Sequence, residues 1–343
     1  MTLLLSSSWL NTFVRFGINI LKLNAAVGVV LGGLLYFFQG KLIYPSGMPP
    51  GSREKVPIPS DFEIKDWEEI ELVSPDQVRI QAFTILATPP PISMIINSLR
   101  NNKFDKDVSR GRDLNSDQDL INEWRSRRPT ILMLHANAGN VGHRLPLSKV
   151  FVEKFRFNVL AISYRGYGHS TGSPSEVGIL SDSQTALDYL RSHPILRNSL
   201  IFLYGQSLGG AVAIGLVSDR KNRGKISGVV LENTFSNLRK LIPFVMPVLK
   251  PFRFLCHQTW KSDERIESLD PKDSPPFLFL SGSKDDLVPA SHFRELFELC
   301  KTDKKKWVDF QNGHHNDTCL QEGYFPIIAE WIEEILNRTE PKK

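Results

Sequence analysis

Gly205-Gln206-Ser207-Leu208-Gly209 sets a hydroxyl nucleophile between two glycines. The run before it, Leu200-Ile201-Phe202-Leu203-Tyr204, is short, apolar and β-favouring. The run after it, from Gly210 to Val217, reads as a buried helix. A serine on a sharp strand-to-helix turn is driven out of the sheet with its Oγ exposed, and the glycines let the neighbouring backbone and helix approach closely. The bare pentapeptide is a weak signal, because Gly and Ser are common. The flanks make it a nucleophile elbow, an arrangement suited to acyl transfer, instead of an ordinary Gly-rich turn.

A serine hydroxyl is a poor nucleophile at neutral pH and needs a base, which in turn needs an orienting partner. At an elbow of this kind the acid and then the histidine follow the serine along the chain. His257, His292, His314 and His315 all lie downstream. His314 and His315 sit in a polar turn, Asn312 to Asp317, where a loop can deliver an imidazole to the carboxyl edge of a sheet. Spacing alone leaves both open. The acid is sought in Ser281-Gly282-Ser283-Lys284-Asp285-Asp286, after an apolar strand, with Glu232 as the competitor at the end of another. The bland reading of the two aspartates is a solvated turn or a helix cap. For the oxyanion, one N–H is expected from Leu208, and the second from the backbone of Asn137 in the small, turn-prone loop His135 to Asn140.

These groups need a scaffold. From Thr130 onward strand and helix signals alternate. Strands are expected at Thr130–Leu134, Val159–Ser163, Leu200–Tyr204, Gly228–Leu231, Phe277–Ser281 and Trp307–Phe310. Helices are expected at Leu145–Phe155, Ser181–Arg191, Gly209–Val217, His292–Cys300 and Tyr324–Asn337. This predicts an α/β fold with a mainly parallel sheet covered on both faces. Trp67–Val73 and Val78–Leu86 predict a leading hairpin. Pro89 to Arg128 opens with three prolines and turns polar, so an insertion is expected at about 89–128, a mobile surface loop with a short helical piece near Ile95–Leu99. Ser236 to Asp270 carries Pro243, Pro247 and Pro251 and predicts short helices capping the sheet near the elbow.

Ahead of this, residues 16–38 are mostly apolar, with a charge-free core from Ala25 to Phe38. About 20 apolar residues suffice to span a bilayer. Lys22 lies towards one end, where it can snorkel. Trp9 on one side and Tyr36, Phe37, Phe38 and Tyr44 on the other suit interfacial belts. Bulky aromatics follow the core where a cleaved signal peptide would carry small residues, so an uncleaved anchor is expected. The division is then a tail (1–15), a transmembrane signal anchor (16–38), a linker (39–60) and an α/β domain (61–343) that bears the elbow and the insertion. Basic residues flank the anchor on both sides, so the positive-inside rule gives no orientation.

Over 343 residues, 41% hydrophobic and 23% charged content is ordinary for a globular chain. The net charge of +5 is modest and scattered, which reads as a solvated surface and not a nucleic-acid footprint. Attraction to an anionic membrane fits equally well. Cys256, Cys300 and Cys319 lack metal-ligand spacing and read as buried or half-buried thiols. No zinc-type cluster, Walker loop or dinucleotide fingerprint is present, so neither a metal nor an organic cofactor is expected. Asn316 and Asn337 head glycosylation acceptor patterns; the first touches the candidate histidine loop and is expected unmodified.

Five stretches together carry a specific resemblance: Asn137-Ala138-Gly139-Asn140, Tyr164-Arg165-Gly166-Tyr167-Gly168, Ser207 to Ala211, Leu231-Glu232-Asn233-Thr234-Phe235 and His315-Asn316-Asp317-Thr318. They resemble the alpha/beta-hydrolase superfamily, and within it the bud-emergence (Bem) family of membrane-anchored hydrolases, over nearly everything from Lys41 to the final helix except the insertion. The resemblance implies Ser207 as nucleophile, Asp285 as acid and His315, not His314, as base. It also implies a single N-terminal anchor. The chain departs from the pattern at His135-Ala136, where relatives usually carry His-Gly. Alanine disfavours a positive φ that glycine allows, so a slight change of the oxyanion loop is expected, without loss of activity.

The expected protein is therefore a single-pass membrane serine hydrolase of the endoplasmic reticulum, another endomembrane or the plasma membrane. It acts on an ester, thioester or amide bond of a lipid-like or acylated substrate, with a small-molecule or acylated substrate and the membrane as partners and neither nucleic acid nor an obligate protein partner. Two rivals share the sequence: a serine peptidase of the same fold, and a membrane scaffold in cell polarity or morphology whose catalysis is dispensable.

Overall fold

The computed structural model describes residues 7–101 and 116–339. Its centre is one eight-stranded sheet in the order β1-β2-β4-β3-β5-β6-β7-β8. The strands are β1 (Trp67–Val73), β2 (Arg79–Ile85), β3 (Thr130–Leu134), β4 (Asn158–Ile162), β5 (Ile201–Gln206), β6 (Gly228–Glu232), β7 (Phe277–Gly282) and β8 (Lys305–Phe310). β2 runs antiparallel to both β1 and β4, and the other neighbours are parallel. This is the alpha/beta-hydrolase fold.

Residues in β3 to β7 are buried along their whole length, as parallel strands covered on both faces must be. Successive side chains go to opposite faces. Ile201 and Leu203 of β5 enter a core shared with α5 (Glu176–Ser192), α6 (Leu208–Ser218) and α9 (Ala290–Leu299), whereas Phe202 and Tyr204 enter the core under α4 (Leu145–Lys149) and α10 (Tyr324–Thr339). The edge strands carry the charge: Glu68, Glu69 and Glu71 in β1, Lys305 and Lys306 in β8, which discourages edge-to-edge pairing. β4 lies on one side of β3 and β5 on the other, so the crevice at their carboxyl ends is a topological switch point.

Several element boundaries shift for local reasons. α5 begins at Glu176, five residues before the expected Ser181, because Ser175 caps it by accepting the Gly178 N–H at 3.1 Å. The helix expected at Leu145–Phe155 is α4 followed by a π turn at Val150–Lys154. The proline-rich interval holds α7 (Leu238–Val245), a 3-10 segment at Pro247–Leu255 and α8 (Ser262–Glu267).

The insertion differs more. The helical piece expected near Ile95–Leu99 is part of α2 (Ile92–Asn101), a second helix, α3 (Asp117–Ser126), stands where loop was expected, and the rest of the expected loop, 102–115, lies outside the described residues. Ile95 and Trp124 are buried against Ala87. Arg125 ties α3 to the domain through the Ala87 carbonyl at 3.0 Å and the Asp66 carboxylate at 2.7 Å. Polar composition hid an apolar face at helical spacing, Leu120, Ile121 and Trp124.

The N-terminal helix α1 runs from Ser7 to Ile43. Val14–Ile43, 30 residues, is the one helix among the described residues long and apolar enough to cross a membrane. Residues 39–60, expected as a linker, instead pack onto the domain. Tyr44 and Ser52 are buried. Gly139 N–H donates to the Met48 carbonyl at 2.7 Å, and Asn140 Nδ2 donates to the Ser52 and Lys55 carbonyls at 2.8 and 3.0 Å.

Candidate active site

The turn between β5 and α6 is as tight as glycine permits. A Cβ on Gly205 would lie 2.2 Å from the Gly209 carbonyl oxygen, and one on Gly209 would lie 2.0 Å from that of Leu134. Ser207 sits between them at φ 53°, ψ −116°, a left-handed conformation that a non-glycine residue holds only when its surroundings over-determine it. Here Ser207 N–H donates to the Glu232 carbonyl at 2.9 Å, and Thr234 Oγ1 donates to the Ser207 carbonyl at 2.6 Å. Both grips come from the end of β6.

His315 is buried, and its Nδ1 faces both carboxylate oxygens of Asp285 at 3.0 and 2.9 Å. Asp285 Oδ1 is itself held by the N–H groups of Leu287 and Val288 at 2.9 and 2.8 Å. The imidazole therefore has a partner that fixes its Nδ1 proton and leaves Nε2 free to act. His314 is exposed, and only its backbone is engaged, donating to Asp317 Oδ1 at 2.6 Å. Asp286 is exposed as well. His257 meets Gln39 on α1, and His292 meets Ser236. The structure thus pairs Asp285 with His315 in the loops that follow β7 and β8, sets Ser207 in the turn that follows β5, and gives His257 and His292 other partners.

The competing acid Glu232 has a different neighbourhood. It is fully buried, with its Oε2 against both Tyr204 Oη and Tyr324 Oη, and the two phenols are 2.9 Å from each other. Both phenols donate to that one carboxyl oxygen, deep in the core. Burial correspondingly pushes the Glu232 carboxyl above the ordinary glutamate value.

Gln206 was not singled out by sequence. Its Nε2 donates to the His315 carbonyl at 2.9 Å and to Glu232 Oε1 at 3.2 Å, and its Oε1 accepts from Arg144 at 2.7 Å. The signal for it was positional: a side chain one residue before the nucleophile, at the strand end, points away from Ser207 and under the neighbouring loop.

Leu208 is the first residue of α6, so its N–H has no acceptor within the helix. Asn137 lines the same cavity as Leu208 and is pinned by its side chain and by its carbonyl, which accepts from Tyr167 Oη at 3.2 Å. Its Nδ2 donates to the carbonyl of Ile43, the last residue of α1, and its Oδ1 accepts from Tyr167 Oη at 2.8 Å. His135 anchors the start of the loop. Its Nδ1 donates to the Ala136 carbonyl at 2.6 Å, and its Nε2 accepts the Tyr164 N–H at 3.2 Å. Burial lowers its pKa to about 3, so it stays a neutral, single-tautomer strut. Ala136 does not adopt a positive φ, and the left-handed position of the loop falls on Gly139 at φ 81°. Alanine therefore costs no backbone strain there.

Above Ser207 and Leu208 lies an apolar cavity of about 320 Å³. Phe235, Leu238, Ile242 and Leu249 of the cap form one side, and Leu35 and Leu42 of α1 another. Arg253 is the single charged residue in its lining among the described residues.

Comparison with known proteins gives the family and the fold. The family model described as serine aminopeptidase, S33, matches residues 126–269. Protein bem46 of Schizosaccharomyces pombe is 42% identical over 324 residues, covering 92% of this chain and 94% of that one. An uncharacterized membrane protein of Saccharomyces cerevisiae is 36% identical over 300 residues, covering 88% and 90% of the two chains. Among solved structures, an esterase of Pyrococcus furiosus superposes with a TM-score of 0.58 at 19% identity, covering 82% of this chain and 94% of that one, a likeness of fold.

Proposed function

Because the chain belongs to the bem46 family of alpha/beta hydrolases, we propose that it is a membrane-anchored serine hydrolase working through an acyl-enzyme on Ser207. The substrate is an ester, thioester or amide with a lipid-like or otherwise acylated character. What supports this is a strained Ser207 in the wall of an apolar cavity, together with a buried His315 whose Nδ1 is held by Asp285.

His315 Nε2 takes the proton of Ser207 Oγ as the oxygen attacks the substrate carbonyl. Asp285 keeps the Nδ1 proton in place and stabilises the imidazolium. The oxyanion is met by the N–H groups of Leu208 and Asn137. The imidazolium then gives its proton to the leaving group, and the acyl group stays on Ser207. Water, deprotonated by the same imidazole, releases the acid and restores the hydroxyl. The apolar lining supplies binding energy to the acyl part, at about 25 cal/mol per Å² of apolar surface removed from water.

The matching family's description favours a second reading, a serine peptidase. Against it stands the cavity lining, in which, among the described residues, no Asp or Glu occurs to receive the ammonium of a free amino terminus.

Labelling with a fluorophosphonate probe tests the nucleophile. The parent chain is expected to label and Ser207→Ala is not, and equal labelling of both sinks the assignment. A panel of acyl esters, acyl thioesters and aminoacyl amides then separates hydrolase from peptidase.

A further inference from the structure

The cavity over Ser207 has a wall that the sheet domain does not supply. Leu35, Gln39, Leu42 and Ile43 of α1 line it opposite the cap. The helix is fastened there by a buried amide. Gln39 Nε2 donates to the Leu255 carbonyl at 3.2 Å, and its Oε1 accepts the N–H groups of His257 and Gln258 at 2.9 and 3.3 Å. Just past the helix end, Trp260 Nε1 donates to Tyr44 Oη at 2.9 Å. With Asn137 holding Ile43, α1 is clamped to the cap and the oxyanion loop at once.

That clamp fixes a depth. A second groove lies farther back along α1, between Gly28, Gly32 and Gly33 on one side and Phe252, Phe254 and Leu255 on the other. A Cβ on Gly32 would lie 3.7 Å from Leu255 Cδ1, so helix and cap are in contact at that level. Gly32 precedes Phe38, the end of the charge-free stretch, by six residues, which is about 9 Å along a helix axis. A bilayer that holds α1 up to Phe38 therefore reaches the cap at Phe252 to Leu255. Interfacial elements bury their apolar faces to a similar depth, about 5–10 Å.

The surface chemistry matches. Phe244, Val248, Phe252 and Phe254 are 58%, 82%, 43% and 66% exposed, a cluster that a soluble surface seldom carries. Lys250 and Arg253 are exposed among them, cations placed for headgroup phosphates.

We propose that the cap segment from Phe244 to Leu255 lies in the headgroup–acyl boundary of the bilayer that holds α1, and that the cavity opens into that leaflet. The substrate is then a bilayer-resident acyl lipid, whose chain passes Leu35 and Leu42 to Ser207 without crossing water. This rests on the membrane-anchored hydrolase reading above.

The test uses the full-length chain in phosphatidylcholine nanodiscs, with and without lipid brominated in the acyl chain. Phe254→Trp is expected to add fluorescence that bromine quenches. Glu333→Trp, on α10 across the sheet, is expected to add fluorescence that it does not quench. Equal quenching at the two positions, or none at 254, overturns the docking. For entry, Leu35→Trp is expected to lower the ratio of kcat/KM for a long-acyl lipid to that for a short water-soluble ester by at least about tenfold, the scale of one hydrophobic contact. Leu42→Trp repeats the measurement from the other turn, and an unchanged ratio in both overturns the route. Hydrolysis that survives Ser207→Ala defeats the hydrolase reading instead, and the bromine measurement still decides the docking.

Discussion

Gln206 donates its side-chain amide to the backbone carbonyl of His315 at 2.9 Å, so the residue before the nucleophile carries the loop that bears the candidate base. The same amide reaches Glu232 and the same side chain accepts from Arg144. Gln206→Leu removes all three contacts without removing any candidate catalytic group. It leaves buried polar partners unsatisfied, at a cost of about 1–3 kcal/mol each. It also frees the His315 loop, and a displacement of about 1 Å at a reacting group costs on the order of 10²-fold in rate. Denaturant midpoints and kcat are both expected to fall, with KM nearly unchanged. A fall in stability with kcat intact would confine Gln206 to a structural role.

Asp285 and His315 give a sharper pair of expectations. Asp285→Asn keeps the size of the side chain but removes the charge that selects the Nδ1–H tautomer, so kcat is expected to fall on the order of 10⁴-fold. His314→Ala is expected to stay close to the parent chain, because its ring is exposed and only its backbone is bonded within the loop. Steady-state hydrolysis of one acyl ester by the three chains checks both. Equal losses in the two variants would contradict the assignment of the base to His315.

Glu232 predicts a pH dependence of stability. Its folded pKa is raised by burial, while the unfolded chain keeps the ordinary value near 4.5. Between those two values the native state holds the proton more tightly than the unfolded one. Its contribution is therefore complete below the ordinary glutamate value and is lost as pH rises through the raised one. Glu232→Gln keeps a neutral group beside Tyr204 and Tyr324 and has no proton to lose. Denaturation midpoints across that window are expected to decline in the parent chain relative to the variant. Parallel curves would mean that Glu232 is ionised inside the fold.

What sequence made legible follows a physical divide. The elbow was readable because its constraints are local: a strand, a glycine on each side of the serine, and a helix within a dozen residues. Strand ends then pointed to the Asp285–Asp286 pair and the 314–315 turn, although choosing between neighbours required the resemblance. The brace on the oxyanion loop was not readable. Ile43 and Asn137 are 94 residues apart, and a main-chain carbonyl accepting from an asparagine leaves no periodic trace. For the same reason residues 39–60, rich in Pro and Gly, read as a linker while serving as packed structure. Gln206 was hidden because a glutamine at a variable position of a motif carries no chemical signal until its partners from the turn before α4, from β6 and from the histidine loop surround it.

The close approach at Gly209 yields the most local prediction. A Cβ there would meet the carbonyl oxygens of Leu134 at 2.0 Å and His135 at 3.0 Å, main-chain atoms that cannot turn aside as a side chain can. Gly209→Ala must push α6 away from the end of β3. The cost of such overpacking is about 1–3 kcal/mol, and the displacement separates the Leu208 N–H from the Asn137 loop. Losing one oxyanion donor costs on the order of 10²–10³ in kcat. The variant is therefore expected to fold with a lower Tm, to bind substrate with little change in KM and to turn over at least about 10²-fold more slowly. Gly47→Ala, with nothing within 4 Å of its added methyl, controls for the substitution itself. A Gly209→Ala chain as active as Gly47→Ala would show that α6 can shift without disturbing the oxyanion site, and would remove Leu208 from the proposed donors.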